Sequence, residues 1–130
     1  MGSPAAKLGD QVTGQDTHVV MVPSPGGPVP TPMVFPFTGV INDGCCATVL
    51  IEGKPAATSG STAQNTPVHV APSGQFQNQP TNRAEILPTP SRVLIGGKPA
   101  ARAGDAAQTC NDPVPLPVGT VQAAGTVLMG

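Results

Sequence analysis

The sequence predicts an all-β chain of three related hairpin repeats closed into a ring, and three observations predict it. First, the unit Val49-Leu50-Ile51-Glu52-Gly53-Lys54-Pro55-Ala56-Ala57-Thr58-Ser59-Gly60-Ser61 recurs as Val93-Leu94-Ile95-Gly96-Gly97-Lys98-Pro99-Ala100-Ala101-Arg102-Ala103-Gly104-Asp105. Second, a third copy is cut in two, with Val127-Leu128-Met129-Gly130 at one end of the chain and Gly2-Ser3-Pro4-Ala5-Ala6-Lys7-Leu8-Gly9-Asp10 at the other. An open repeat array has two capped ends, whereas a copy split between the termini implies that the last strand pairs with the first. Third, 16 glycines and 17 prolines among 130 residues punctuate short aliphatic and β-branched runs, and no stretch keeps a helical period over ten residues.

Each repeat opens on a proline. Pro4, Pro55 and Pro99 lack a backbone donor and hold φ fixed, so each Pro-Ala-Ala starts as an extended or edge segment. The alanine pairs (Ala5 and Ala6, Ala56 and Ala57, Ala100 and Ala101) suit the crowding of three converging segments. Gly9, Gly60 and Gly104 then close the copies, where a residue free to take positive φ permits a tight turn. A loop is expected from there to His18.

Residues 19–41 carry a proline at nearly every second or third position through their middle, from Pro23 to Pro36. That spacing excludes helix and central strand and favours polyproline or edge-strand geometry. Residues 113–121 are a shorter version of this stretch. Residues 71–87 fill the corresponding place between the second and third copies, with a Gln/Asn-rich loop at 75–82. Each third is therefore a repeat hairpin, a loop and a return strand, all in one domain spanning 1–130.

Bulk composition narrows the function. Two per cent aromatic residues leave a core thin in large side chains, and 10% charged residues remove self-repulsion as a source of disorder. A net charge of −1 without a basic cluster gives no electrostatic footprint for nucleic acid. No charged stretch followed by an apolar run marks a secretory signal, so the chain is expected to be made in the cytoplasm. Cys45, Cys46 and Cys110 are too few and too oddly counted for a disulfide framework and leave thiols free for metal.

The repeat places a metal constellation. His18 lies nine residues after Gly9 and His69 nine after Gly60, while Cys110 lies six after Gly104. These are the chain's two histidines, each just before an apolar pair (Val19-Val20, Val70-Ala71) expected to begin a return strand. Around a threefold axis, His18, His69 and Cys110 would converge, and two imidazoles with a thiolate suit tetrahedral Zn²⁺, with iron a weaker candidate. Cys45, Cys46 or water is weighed as the fourth ligand; alternation sends the two cysteines to opposite faces, so one at most could reach the site. Asp10, Asp16 and Asp105 could supply oxygen, although Asp10 and Asp105 more simply cap turns.

The three phased copies resemble the PAAR-repeat proteins, the tips of contractile injection machines. The motif that names them stands intact at Pro99-Ala100-Ala101-Arg102 and is varied at Pro4-Ala5-Ala6-Lys7 and Pro55-Ala56-Ala57-Thr58. The resemblance implies a small conical β fold whose base sits on a trimeric, VgrG-like β-helical spike, with zinc near the apex held by His18, His69 and Cys110. It implies a structural, non-enzymatic tip that sharpens the spike for membrane puncture, leaves the producing cell with the particle, and carries any effector cargo as a separate chain. The family set is typically three His and one Cys, and the branch resembled tends to have a histidine in the stretch after Thr31-Pro32, where this chain has Phe35. The Pro23–Pro32 stretch looks like that of phage-tail-like extracellular particles; a type VI secretion tip is the alternative. Two other classes are weighed against the tip: a zinc-dependent hydrolase, for which no general base or substrate loop is evident, and an adaptor recruiting partners through residues 22–37, which leaves the split repeat unexplained.

Overall fold

The computed structural model describes residues 2–87 and 93–129; Gly130, the last residue of the split copy, lies outside them. No described residue is helical. The three repeat units are hairpins: β4 (Cys46–Ile51) with β5 (Lys54–Ala56), β9 (Leu94–Ile95) with β10 (Lys98–Pro99), and β13 (Leu128–Met129) with β1 (Ser3–Pro4). The last closes the ends of the chain on each other, as the split copy requires. The register is common to all three, since Leu50 faces Pro55, Leu94 faces Pro99 and Leu128 faces Pro4.

The Pro-Ala-Ala segments lock head to tail. Ala6 N–H donates to Ala101 O at 3.0 Å, Ala101 N–H to Ala57 O at 3.1 Å, and Ala57 N–H to Ala6 O at 3.0 Å, which completes a three-membered ring. Isolated bridges Ala5–Arg102, Lys7–Ala56 and Thr58–Ala100 repeat the same relation. Here the backbones approach so closely that only a methyl fits, and all six alanines are at most 2% exposed. Each copy then turns in the same way. Gly9, Gly60 and Gly104 have φ of 96°, 90° and 91°, in the left-handed region that glycine enters without a Cβ penalty. Asp10 Oδ2, Ser61 Oγ and Asp105 Oδ2 accept the N–H of Lys7, Thr58 and Arg102 at 2.9, 3.0 and 2.9 Å. Asp10 and Asp105 are thus turn caps.

Beyond the turns six strands close into a barrel. They are β2 (Gln11–Val22), β3 (Val29–Asp43), β6 (Thr62–Asn65), β8 (Arg83–Ile86), β11 (Ala106–Thr109) and β12 (Leu116–Gln122), and β12 pairs back onto β2. A short strand β7 (Gln75–Phe76) joins the far end of β2. Residues 11–18 are therefore strand rather than the expected loop, because Gln11–Val22 pairs in continuous register with Val29–Val40. The apolar pair after His18 continues that outgoing strand. The pair after His69 lies in an irregular segment, and the second return strand is β8.

The prolines of β3 behave as edge residues. Pro30, Pro32 and Pro36 share one parity on a stretch paired on one side only, so their missing N–H faces away from β2. Where β3 is paired on both sides, from Gly39 onward, it has no proline. The adaptor reading needs residues 29–37 as a free polyproline segment, and their backbone is instead paired with β2.

The core has two layers. Ala5, Ile51, Ala56, Ile95 and Ala100 form one at the hairpin end. Ala6, Ala57 and Ala101 open the other, which continues through Val12, Phe37, Ile41, Ile86 and Val121 to Cys110. Successive alanines of each motif thus face successive layers. Cys45 packs on the larger cluster and Cys46 on the smaller, the opposite facing expected of neighbours on a strand.

Candidate metal centre

At the end of the barrel farthest from the hairpins, Asp16, His18, His69 and Cys110 bring one ligand atom each to within 4.8 Å of the others, all four residues buried. Asp16 and His18 are two apart on β2 and so share a face. Cys110 directly follows β11, and His69 sits four residues past the end of β6. The two histidines and the cysteine singled out by repeat phase are therefore brought together. Cys45 and Cys46 are not: they stay with the two core clusters near the hairpins, and Cys46 Sγ contacts Thr48 Oγ1 at 3.2 Å. The fourth group is Asp16, whose oxygen was one of three offered by sequence, and the only one not used as a turn cap.

Asp16 is the hub. Its Oδ2 accepts from His69 Nε2–H at 2.9 Å and from the Cys110 thiol at 3.4 Å, while its Oδ1 accepts from Thr109 Oγ1–H. His18 Nε2 lies 3.7 Å from Cys110 Sγ and 3.9 Å from Asp16 Oδ2. Asn111 Nδ2 donates to Thr109 Oγ1 at 3.0 Å, fixing the hydroxyl that holds the carboxylate.

His69 is placed by two asparagines. Asn82 Oδ1 accepts the backbone N–H of His69 at 2.8 Å and Asn65 Nδ2–H at 3.1 Å. Asn65 Oδ1 accepts Thr38 N–H at 2.9 Å, so its amide nitrogen is the atom that meets His69 Nδ1, at 3.2 Å. Phe35 closes the site from the opposite strand, its ring centroid 5.7 Å from that of His18 and 5.3 Å from that of His69. Phe76 on β7 packs against His18 at 5.8 Å. These rings exclude water and so strengthen every charge interaction inside.

Burial sets the proton affinities. It holds the His18 imidazolium below the ordinary 6.5, with Asp112 pulling partly back. Burial, then the charge of Asp16, pushes the Cys110 thiol from 9.0 up to about 11. At neutral pH the thiol is protonated, and a bound cation is what would make it a thiolate.

A family model described as PAAR motif matches residues 19–108. The chain belongs to the PAAR-motif family. No curated protein matches it. PAAR-motif proteins are spike-tip components of type VI and related contractile systems; they are structural proteins rather than enzymes, they sit on a VgrG-like spike, and they leave the cell as part of the secretion machine. The matched span includes His69 and stops short of Asp16, His18 and Cys110.

The residues fit a metal ion. Ligands of a tetrahedral zinc at about 2.0–2.3 Å are separated by roughly 3.3–3.8 Å; the Asp16–Cys110, His18–Cys110 and Asp16–His18 separations are 3.4, 3.7 and 3.9 Å, and the hydrogen-bonded Asp16–His69 pair, at 2.9 Å, would open as an ion replaced its proton. Sequence reasoning named Asp16 only as a possible oxygen donor, behind Cys45, Cys46 or water, because nothing in its spacing ties it to the repeat. The signal that would have found it is parity: two residues before His18 on a strand is the same face.

Proposed function

We propose that this protein is the puncturing tip of a contractile injection system, one copy per trimeric spike, with its apex held together by zinc. The observation that carries the docking half is the ring of three. Leu50, Leu94 and Leu128 occupy one register on three hairpins and are 60%, 62% and 58% exposed. A single chain thereby offers a true trimer three equivalent apolar contacts. Hairpins of two or three pairs also leave strand edges that a partner can cover.

Asp16, His18, His69 and Cys110 would hold the ion, and its contribution is a cross-link between segments far apart in sequence. Two nitrogens, a sulfur and an oxygen form a donor set that Zn²⁺ accepts. With a core of mainly alanine and isoleucine and a single phenylalanine, such a cross-link supplies stability that packing alone does not.

The apical end suits passage through a bilayer. Residues 17–42 and 55–82 contain no Asp, Glu, Lys or Arg. Asp16 and Asp112 near them have side chains 0% and 8% exposed. The carboxylates at this end are thus already out of water, and the exposed charge there is Arg83, next to the Asn82 that holds His69; stripping a charge of water at a bilayer centre costs at least a few kcal/mol. Size-exclusion chromatography with light scattering, on the protein mixed with its trimeric spike, tests the docking reading. One tip per trimer is expected, and separate elution at micromolar concentration would sink it.

A further inference from the structure

The two histidines of the metal centre are backed differently. An imidazole that binds a metal through Nε2 carries its proton on Nδ1 and needs an acceptor there. His69 Nδ1 meets an amide nitrogen, Asn65 Nδ2 at 3.2 Å, whose orientation is set by Thr38 N–H. His18 Nδ1, by contrast, has no hydrogen-bond partner among the described residues, and the oxygen facing it is Asp112 Oδ2 at 3.8 Å. That carboxylate is fixed on both flanks of His18. Its Oδ2 accepts Val19 N–H at 2.8 Å, its own N–H donates to Thr17 O at 2.8 Å, and the neighbouring Asn111 Oδ1 accepts Thr17 N–H at 2.7 Å. Such a clip costs the chain a nearly buried carboxylate, 8% exposed, with no cation beside it among the described residues.

We propose that Asp112 is the positioning carboxylate of the metal centre, accepting the Nδ1 proton of His18 and so making His18 the anchoring imidazole and His69 the weaker one. This rests on the zinc reading above. His18 lies between two carboxylates, Asp16 on its Nε2 side at 3.9 Å and Asp112 on its Nδ1 side, and the second has no role in the ligand set.

The experiment is zinc affinity by competition with a chromophoric chelator, on the full chain and on Asp112→Asn and Asp112→Ala, alongside the melting temperature of each metal-free form and the visible spectrum of each Co²⁺ form. Asp112→Asn keeps an oxygen for Val19 N–H and removes the charge. It is expected to weaken zinc binding about 10-fold or more, within the 10–100-fold range of such partners, with an altered Co²⁺ spectrum and an unchanged metal-free melting temperature. Asp112→Ala is expected to lose at least as much. Wild-type affinity and spectrum in Asp112→Asn would overturn the assignment, as would a loss matched by an equal fall in metal-free stability. A wild-type protein that binds no zinc would overturn the metal reading itself, and this inference with it.

Discussion

Asp16 and Phe35 stand directly opposite each other in the β2–β3 ladder, with side chains on the same face. One carries the hub carboxylate of the metal centre, and the other packs an aromatic ring over both histidines. The oxygen donor and the ring that covers the site thus sit across one rung of the ladder from each other. The pair behaves as a unit, because Cβ atoms of directly opposed residues are only about 4.5–5.5 Å apart.

Moving the donor across the ladder is therefore a test. Asp16→Ala is expected to lower zinc affinity at least 10-fold, and adding Phe35→His to restore most of it, both read by chelator competition. Phe35→His alone is expected to retain binding. A double variant no better than Asp16→Ala would show that the two positions do not share one site.

Removing the metal should unfold the apex before the hairpin end. Ligand binding to the folded state alone stabilises by RT ln(1 + [L]/Kd), about 2.7 kcal/mol at a hundredfold excess over Kd. Chelation is expected to lower the melting temperature, and to expose the 66–82 segment to protease ahead of the Pro-Ala-Ala ring. Apart from the ligand set, His69 is held by hydrogen bonds to Asn65 and Asn82.

The alanine ring admits no larger side chain. Ala57 is fully buried, and its N–H and C=O both belong to the three-membered ring. Ala57→Val is expected to cost roughly 1–3 kcal/mol through overpacking, read from urea denaturation. The same substitution at Ala6 or Ala101 should cost a similar amount, since the three positions are equivalent.

Alkaline pH should destabilise the metal-free protein. The folded Cys110 thiol titrates at about 11, above its ordinary 9.0. Its contribution is thus fully present below pH 9 and is lost as pH rises toward 11. Denaturation curves from pH 8 to 11 should fall for wild type and flatten for Cys110→Ser. His18 is shifted the other way, its pKa lowered by burial, so its contribution is present above 6.5 and lost as pH falls below that value.

Charge at the hairpin end should abolish docking without unfolding the tip. Leu50, Leu94 and Leu128 are about three-fifths exposed. Replacing any one with Glu is expected to change the melting temperature by only a few degrees and to weaken spike association at least 10-fold, measured by interferometry on the immobilised trimer.

How much of this molecule was legible in its sequence follows from where each interaction acts. The ring could be read directly because its contacts are local and repeated: a proline, two alanines and a turn glycine recur three times, and each copy makes the same bonds with the same residues. His18, His69 and Cys110 could be read for the same reason, since their phase is measured along the chain from those glycines. The continuous strand through residues 11–18 was hidden, because Gly14 and Asp16 interrupt it with residues of low strand preference and are held there by a twelve-pair ladder to β3. The choice of Asp16 over Cys45 and Cys46 was tertiary as well. A carboxylate is a ligand or a turn cap according to what lies around it, and closure of the barrel placed Asp16 beside Thr109, His69 and Cys110, with the two cysteines left on the core layers at the other end.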